Sequence, residues 1–495
     1  MLTSTSRWYA LAALALSTLA VALDTTVLSV ALPTLARDLG ATTGDLQWFT
    51  TAYLLVLAAA LLPAGLLGDR LGRKRLLIGA LVLFGVASVA CAYAQTSGQL
   101  IAARAVLGLG AAVIMPLSGA VLTVLFPAGE STRAMSIWVT ASALGIPLGP
   151  LLGGWLLDNF WWGSVFLINV PVVVAGVLAL TLWLPESRGP RARIDLPGVA
   201  LSAAGLVGVT YGIIEAGERG WSDARSLITL AAGVVLLAAF VLWQRRAAHP
   251  LVDLALFRNR AFTGGAVLAT VASFAMLGLL FSLPQLFSAV GGHDAFGSGL
   301  RLLPVIGGLI VGARSAEKLV ARFGARLVIA GGLGLIAVAS LLGMQTTAST
   351  GYGYIAVWIT ITGVGLGLSM PPALAAALGA LPPSGSGVGN ALLQAMRQVG
   401  GAIGVAVLGT VLNSAYRSRV PVSAGDSVTS GVAVARRTGD SELLATVREA
   451  FAYGMERSLL VAGALALVGV VLALVVLPKR AATEPEPEVL AESLV

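Results

Sequence analysis

The chain has 495 residues, of which 57% are hydrophobic and 11% charged, and its mean hydropathy is +0.91. No water-soluble domain could hide that much apolar surface, so the composition defines an all-α polytopic membrane protein. The net charge of +8 does not indicate nucleic acid, because the basic residues fall in short clusters between apolar runs, as membrane topology places them.

Apolar windows of about twenty residues predict six spans at 8–31, 47–67, 76–95, 100–125, 134–157 and 164–184. Two more follow at 196–216 and 225–243, then six at 261–286, 297–315, 326–346, 352–376, 388–412 and 457–477, fourteen in all. The first span looks at a glance like a signal peptide, but it is too long and carries an aspartate, so it is retained as a helix. An even number puts both termini on one side. Segments on that side hold Arg7, the run Arg70, Arg73, Lys74 and Arg75, then Arg133, Arg188, Arg191 and Arg193. Arg245, Arg246, Arg258, Arg260, Lys318, Arg322, Arg326, Lys479 and Arg480 bring the total there to eighteen of the 31 basic residues. The short opposite loops hold only Arg37, Arg219 and Arg225, so the positive-inside bias predicts that both termini are cytoplasmic. The expected division is 1–184 for one six-helix half, 185–259 for two additional helices and their linkers, and 260–480 for a second half. The second half includes a long polar extracellular segment, 413–457, with a short helix near Ser441 to Ala452; the acidic, proline-bearing tail 481–495 is expected to be disordered.

Within the first span, Asp24 is the only ionisable residue between Trp8 and Ala31. It lies about 24 Å along a helix entered near Trp8, at 1.5 Å per residue. A carboxylate at that depth is costly unless protonated, paired or facing water, which marks a functional site or a structural hydrogen bond. Arg104, in the fourth span, lies only about 8 Å from that helix's outer start, at a depth that matches Asp24. The two are candidate partners, and a simple buried salt bridge is one reading of the pair. The hairpin after the second span reads Gly65-Leu66-Leu67-Gly68-Asp69-Arg70-Leu71-Gly72-Arg73-Lys74-Arg75, a glycine-bearing turn between helix ends. In the fifth span Gly145, Gly149 and Gly153 recur every four residues with Pro147, Pro150 and Gly154 among them, predicting close helix packing and a pliable groove.

Together these stretches resemble the major facilitator superfamily, specifically its fourteen-helix drug/proton antiporters. The resemblance also covers Phe166-Leu167-Ile168-Asn169-Val170-Pro171, the glycine-rich run from Gly363 to Pro372, and Gly389 to Gly404. A degenerate echo of the hairpin, from Gly312 to Gly324, supports an internal repeat. The resemblance implies two six-helix halves plus two extra helices. It implies proton coupling through Asp24 and Arg104, and a cytoplasmic gating motif of Gly65, Gly68, Asp69, Arg70, Gly72 and Arg73. In that motif Asp69 and Arg73 latch the halves in the outward-open state. It also implies an antiporter motif of Gly145, Gly149, Pro150, Gly153 and Gly154.

Asn169, Gln394, Arg397, Gln398, Glu317 and Glu215 are candidate pathway or substrate residues; Arg397 equally suits a bond to backbone near the start of its helix, and Glu317 a pair with Arg314 or a neighbouring basic group. Relatives that expel dications carry an extra acid in the central helices of the second half, and none stands here, while Arg301, Arg314 and Arg397 equally suit anionic or zwitterionic drugs. No phosphate-binding loop is present, so the expected energy source is the proton motive force, with no cofactor and no metal. Cys91 stands alone, and His249 and His293 fall in loops on opposite sides, so no redox or metal constellation forms. The expected activity is export of lipophilic drugs, dyes or antibiotics across the bacterial cytoplasmic membrane by a monomer whose partners are substrate, protons and lipids. An exporter of an endogenous metabolite or lipid is the alternative, and a membrane receptor or enzyme a more distant one.

Overall fold

The computed structural model describes residues 4–126, 128–188, 195–381, 386–421, 425 and 427–477. Among these, every regular element is helical. The first set comprises α1 (Ser4–Asp38), α2 (Thr43–Leu71), α3 (Arg73–Ala92), α4 (Ser97–Leu125) and α5 (Ala128–Asn159). Its sixth crossing is broken at Ile168 into α6 (Ser164–Leu167) and α7 (Asn169–Trp183). Next come α8 (Leu196–Arg219) and α9 (Ala224–Gln244), then α10 (Arg260–Gln285), extended by a π turn over Leu286–Val290. The chain continues through α11 (Ala295–Arg301), α12 (Leu303–Phe323), α13 (Ala325–Gly343), α14 (Tyr352–Leu378), α15 (Ser386–Arg417), α16 (Val428–Thr438) and α17 (Ser441–Val476). Among the described residues 13 spans are long and apolar enough to cross a membrane. The 32-residue α5 supplies the remaining expected crossing. We call the end of the bundle at which α1 begins the terminal end, and the opposite one the distal end.

Lipid replaces water as the solvent for most of this surface. Leu178, Leu182, Val235 and Val475 are 58%, 71%, 65% and 73% exposed, which no aqueous protein would tolerate in such a band. Several buried hydroxyls are satisfied within their own helices: Ser17, Ser118 and Ser340 each donate to the carbonyl four residues earlier, at 2.7, 2.6 and 2.9 Å. The duplication is visible in the turns. Gly72 between α2 and α3, and Gly324 between α12 and α13, adopt φ of 109° and 81° at equivalent hairpins, where a side chain would be strained.

Expectation and structure part in the segment 413–457. It is not one polar loop: α15 runs on to Arg417, α16 folds as a separate helix, and the expected helix near Ser441 is continuous with the last crossing. Val428, Val432, Val447, Ala450 and Phe451 bury an amphipathic face that a hydropathy window does not register. Residues 191, 193, 479, 480 and the tail 481–495 lie outside the described residues, as does the side chain of Arg133.

Candidate functional site

Asp24 and Arg104 meet. The Asp24 carboxylate pairs with the Arg104 guanidinium, and both side chains are about as buried as a side chain can be, at 1% exposure. Arg104 Nε also donates to the Phe49 carbonyl at 2.9 Å, and the guanidinium lies over the Tyr53 ring, 4.5 Å from its centroid. On the other side, Asn169 Nδ2 donates to Asp24 Oδ1 at 3.3 Å and to Ser88 Oγ at 3.2 Å. The break at Ile168 places Asn169 at the first turn of α7, where its amide reaches the ion pair. Two polar atoms of this cluster, Asn169 Oδ1 and the Tyr53 hydroxyl, have no hydrogen-bond partner among the described residues. Tyr53, Ser88 and the Phe49 carbonyl were not legible beforehand, because a lone Tyr or Ser in an apolar helix is indistinguishable from ordinary packing.

The glycine stripe of α5 packs on the turn of α1 that carries Asp24. A Cβ added at Gly145 would lie 2.5 Å from Ala22 Cβ, at Gly149 1.9 Å from Thr26 Oγ1, and at Gly153 3.0 Å from Val27 Cγ1. Thr26 Oγ1 uses this closeness to donate to the Gly145 carbonyl at 2.9 Å. Despite Pro147 and Pro150, α5 runs unbroken.

One turn further, the same helix meets the second set. Gly154 faces the backbone of Phe296, whose Cα a Cβ there would approach to 2.6 Å, and Gly299 faces the Pro150 carbonyl, at 2.4 Å on the same measure. The Asp158 carboxylate accepts the backbone N–H groups of Ala295 and Phe296 at 3.2 and 3.0 Å, capping α11 from across the seam. A second distal seam joins α2 to α15, where Gln47 Nε2 donates to the Val405 and Ala406 carbonyls at 3.1 and 2.9 Å. α8 fastens it: Glu218 accepts from Thr42 Oγ1 at 2.9 Å, and Thr410 Oγ1 donates to the Ile213 carbonyl at 3.0 Å. The halves are therefore closed against each other at the distal end.

The hairpin of Gly65 to Arg75 makes its hydrogen bonds within the first set and with the segment that directly follows it. Arg73 Nε donates to Asp69 at 2.9 Å and Arg73 Nη1 to the Ala120 carbonyl at 3.5 Å, while Glu186 accepts the backbone N–H groups of Lys74 and Arg75 at 3.0 and 3.3 Å. Gly68 presses on Leu117, 2.3 Å from where its Cβ would be; Gly65 faces open space and Arg70 is exposed. In this distally closed conformation Asp69 and Arg73 make no hydrogen bond or ion pair to the second set among the described residues; the expected latch belongs to the outward-open state.

The remaining candidates scatter. Glu215 is buried on α8 and paired with Arg219, beside the α2–α15 seam. Glu317 is exposed near the terminal end of α12 and, contrary to the expected pair with Arg314, has no ion pair among the described residues. Gln394, Arg397 and Gln398 sit half-buried on α15; Arg397 Nη1 donates to Gln394 Oε1 at 2.6 Å instead of to backbone. In the second set, where α10, α13, α14 and α17 pack as α1, α3, α4 and α7 do in the first, there is no ion pair among the described residues. A cavity of about 20 Å³ lies there instead, lined by the hydroxyls of Ser282, Ser340, Thr362 and Ser458. No group of three or more His, Cys, Asp or Glu side chains able to hold a metal ion occurs among the described residues.

Comparison with known proteins agrees with this architecture. The tetracenomycin C resistance and export protein of Streptomyces glaucescens is 34% identical over 94% of this chain and 91% of its own length. The multidrug efflux pump LfrA of Mycolicibacterium smegmatis is 32% identical over 94% of this chain and 97% of its own. Among solved structures, an inward-facing bacterial homologue of the lysosomal transporter Spinster superposes with a TM-score of 0.68 at 18% identity, covering 95% of this chain and 98% of that one. The D-xylose–proton symporter superposes with a TM-score of 0.64 at 16% identity, covering 95% and 98%. A sequence profile of the Major Facilitator Superfamily matches residues 14–405. With that match spanning most of the chain and the helices folded as they are, the protein belongs to the major facilitator superfamily.

Proposed function

We propose that this protein is a proton-coupled antiporter that exports lipophilic drugs or antibiotics across the bacterial cytoplasmic membrane, with Asp24 as the proton carrier. The observation that carries the coupling is the fully buried Asp24–Arg104 pair, held from one side by Asn169 and from the other by Tyr53. A charge pair that deep persists only while both partners are in place; if helix movement separates them, the carboxylate takes a proton instead of standing uncompensated in a low-dielectric core. Asn169 Oδ1 and the Tyr53 hydroxyl, both without partners among the described residues, are suited to hydrogen-bond the protonated Asp24 carboxyl or a water beside it.

The transport cycle rocks residues 1–184 against 260–480, with 185–259 accompanying them, about a site at mid-membrane. Because α5 touches the Asp24 turn with Gly145, Gly149 and Gly153 and the second half with Pro150, Gly154 and Asp158, a change at Asp24 is felt at the distal seal. The basic hairpins Arg70 to Arg75 and Lys318 to Arg326 support a cytoplasmic terminal end, and the distally closed form is then inward-facing. The names of the relatives support drug or antibiotic export, with a transporter's work and no enzyme's, and the proton gradient replaces a cofactor.

Efflux of dye or antibiotic into everted vesicles under an imposed proton gradient tests the reading. Asp24→Asn is expected to abolish gradient-driven transport while substrate exchange persists. Full proton-driven transport by that variant would remove Asp24 from the mechanism.

A further inference from the structure

Arg397 lies about 17 Å into α15 at 1.5 Å per residue, inside the apolar span Gly389–Arg417. Its neighbours are two neutral groups: Gln394 Oε1 at 2.6 Å and, on α10, Ser273 Oγ at 3.5 Å. No carboxylate lies within ion-pair distance of it among the described residues, in contrast to Arg104, which holds Asp24. A guanidinium offers five N–H donors in a fork that matches a carboxylate, and most of that capacity is unspent here. Its cost at this depth calls for a counter-charge.

The position of the group says where the counter-charge comes from. On α15, Ala391, Gln394, Gln398, Ala402 and Val405 recur at three- and four-residue spacing, a single helix face. Ala391, Ala402 and Val405 pack on the core of the first half, as do Met276, Leu277 and Phe281 of α10. Gln394 and Gln398 therefore face the seam between the halves, and Arg397, half-buried and bonded to Gln394, borders it.

We propose that Arg397 is the anion-recognising group of the transport pathway, and that the preferred substrates are acidic amphiphiles: an aromatic body carrying a carboxylate, flanked by the amides of Gln394 and Gln398. This rests on the exporter reading and names its substrate class. Export of a monoanion against entry of a proton then moves positive charge inward twice per cycle, making transport electrogenic.

The test uses three probes with one aromatic body and different charge: 1-pyrenebutyrate, its primary amide and 1-pyrenebutylamine. Binding to the purified full-length protein in phosphatidylcholine nanodiscs is read by energy transfer from its tryptophans, with empty nanodiscs as blank. Wild type is expected to bind the acid at least tenfold more tightly than the amide or the amine. Arg397→Gln brings the acid to the level of the amide and leaves the amide unchanged; Arg397→Lys keeps part of the preference. No preference for the acid in wild type, including no saturable binding of any probe, overturns the proposal, and that measurement stands even if Arg397→Gln does not fold. Equal weakening of all three probes in Arg397→Gln also overturns it, since that is what a purely structural arginine would give. Gradient-driven efflux in wild type without acid preference sinks this inference and leaves the exporter reading; acid-selective binding without efflux does the reverse.

Discussion

Replacing Gly149 by Ala places a methyl group where α1 and α5 touch. The new Cβ would lie 1.9 Å from Thr26 Oγ1, 2.7 Å from Thr26 Cβ and 3.1 Å from the Val27 backbone nitrogen. Ordinary contact begins at 3.4 Å. Either the helices part by about 1 Å or Thr26 leaves its rotamer and loses its 2.9 Å bond to the Gly145 carbonyl. Overpacking of this kind costs about 1–3 kcal/mol and the hydrogen bond about 1 kcal/mol, so the expected loss is about 2–4 kcal/mol. Gly145→Ala, whose Cβ would meet Ala22 Cβ at 2.5 Å and backbone at 3.0 Å, should cost less. Gly153→Ala should cost least, because its nearest neighbour, Val27 Cγ1 at 3.0 Å, can turn aside. Gly79→Ala is the control: nothing lies within 4 Å, and the helix gains about 0.5–1 kcal/mol from the exchange.

The molecule carries its own reporter. Cys91 is the one cysteine of the sequence and is fully buried, so a thiol-reactive fluorophore reads unfolding directly during a thermal ramp. The order of melting should be Gly79→Ala highest and Gly149→Ala lowest, with part of the loss at Gly149 recovered by adding Thr26→Ala. Equal stability of Gly149→Ala and Gly79→Ala would refute the close contact between α1 and α5 and, with it, the coupling of Asp24 to the distal seal.

Two other predictions test other parts of the molecule. Asp158→Ala removes the acceptor that caps α11 across the seam; at about 1–2 kcal/mol this should raise the distally open population roughly fivefold or more. An added Ser298→Cys, buried in the seal, should then label faster with an impermeant maleimide, and an unchanged rate would show that the seal does not depend on Asp158. At the opposite end, burial pushes the Asp195 carboxyl up in pKa, but hydrogen bonds from Gly198, Trp243 and Gln244 outweigh it and hold it below the ordinary 3.8. A carboxyl lowered on folding contributes stability above its unfolded value, lost as the pH falls through its folded one. Asp195→Asn, which cannot accept all those donors, should therefore melt earlier at neutral pH, with the gap to wild type closing as the pH falls below 3.8; a gap constant down to strongly acidic pH would contradict this.

Much of this protein is written locally in its chain. Span positions follow from hydropathy, because a membrane helix satisfies its backbone by itself and needs only an apolar exterior of the right length. Asp24 and Arg104 stood out because an ionisable residue at that depth is costly wherever it is found, and matching depths made them candidate partners. The glycine repeat of α5 announced a close helix contact for a similarly local reason.

Which helix that stripe would meet was not legible, since spacing defines a face but not its neighbour; packing gave it the turn of Asp24. Asn169, Ser88 and Tyr53 come from three different helices and gather at the ion pair only when the bundle closes. Asp158 reads as a loop-edge acid until α11 is brought against it. The amphipathic α16 escaped because its burial depends on α17 lying alongside. A sequence sets what each segment must satisfy on its own, whereas partnership across the bundle is a property of helix placement, and only the tertiary structure decided which carboxylate answers which donor and that Arg397 meets no carboxylate among the described residues.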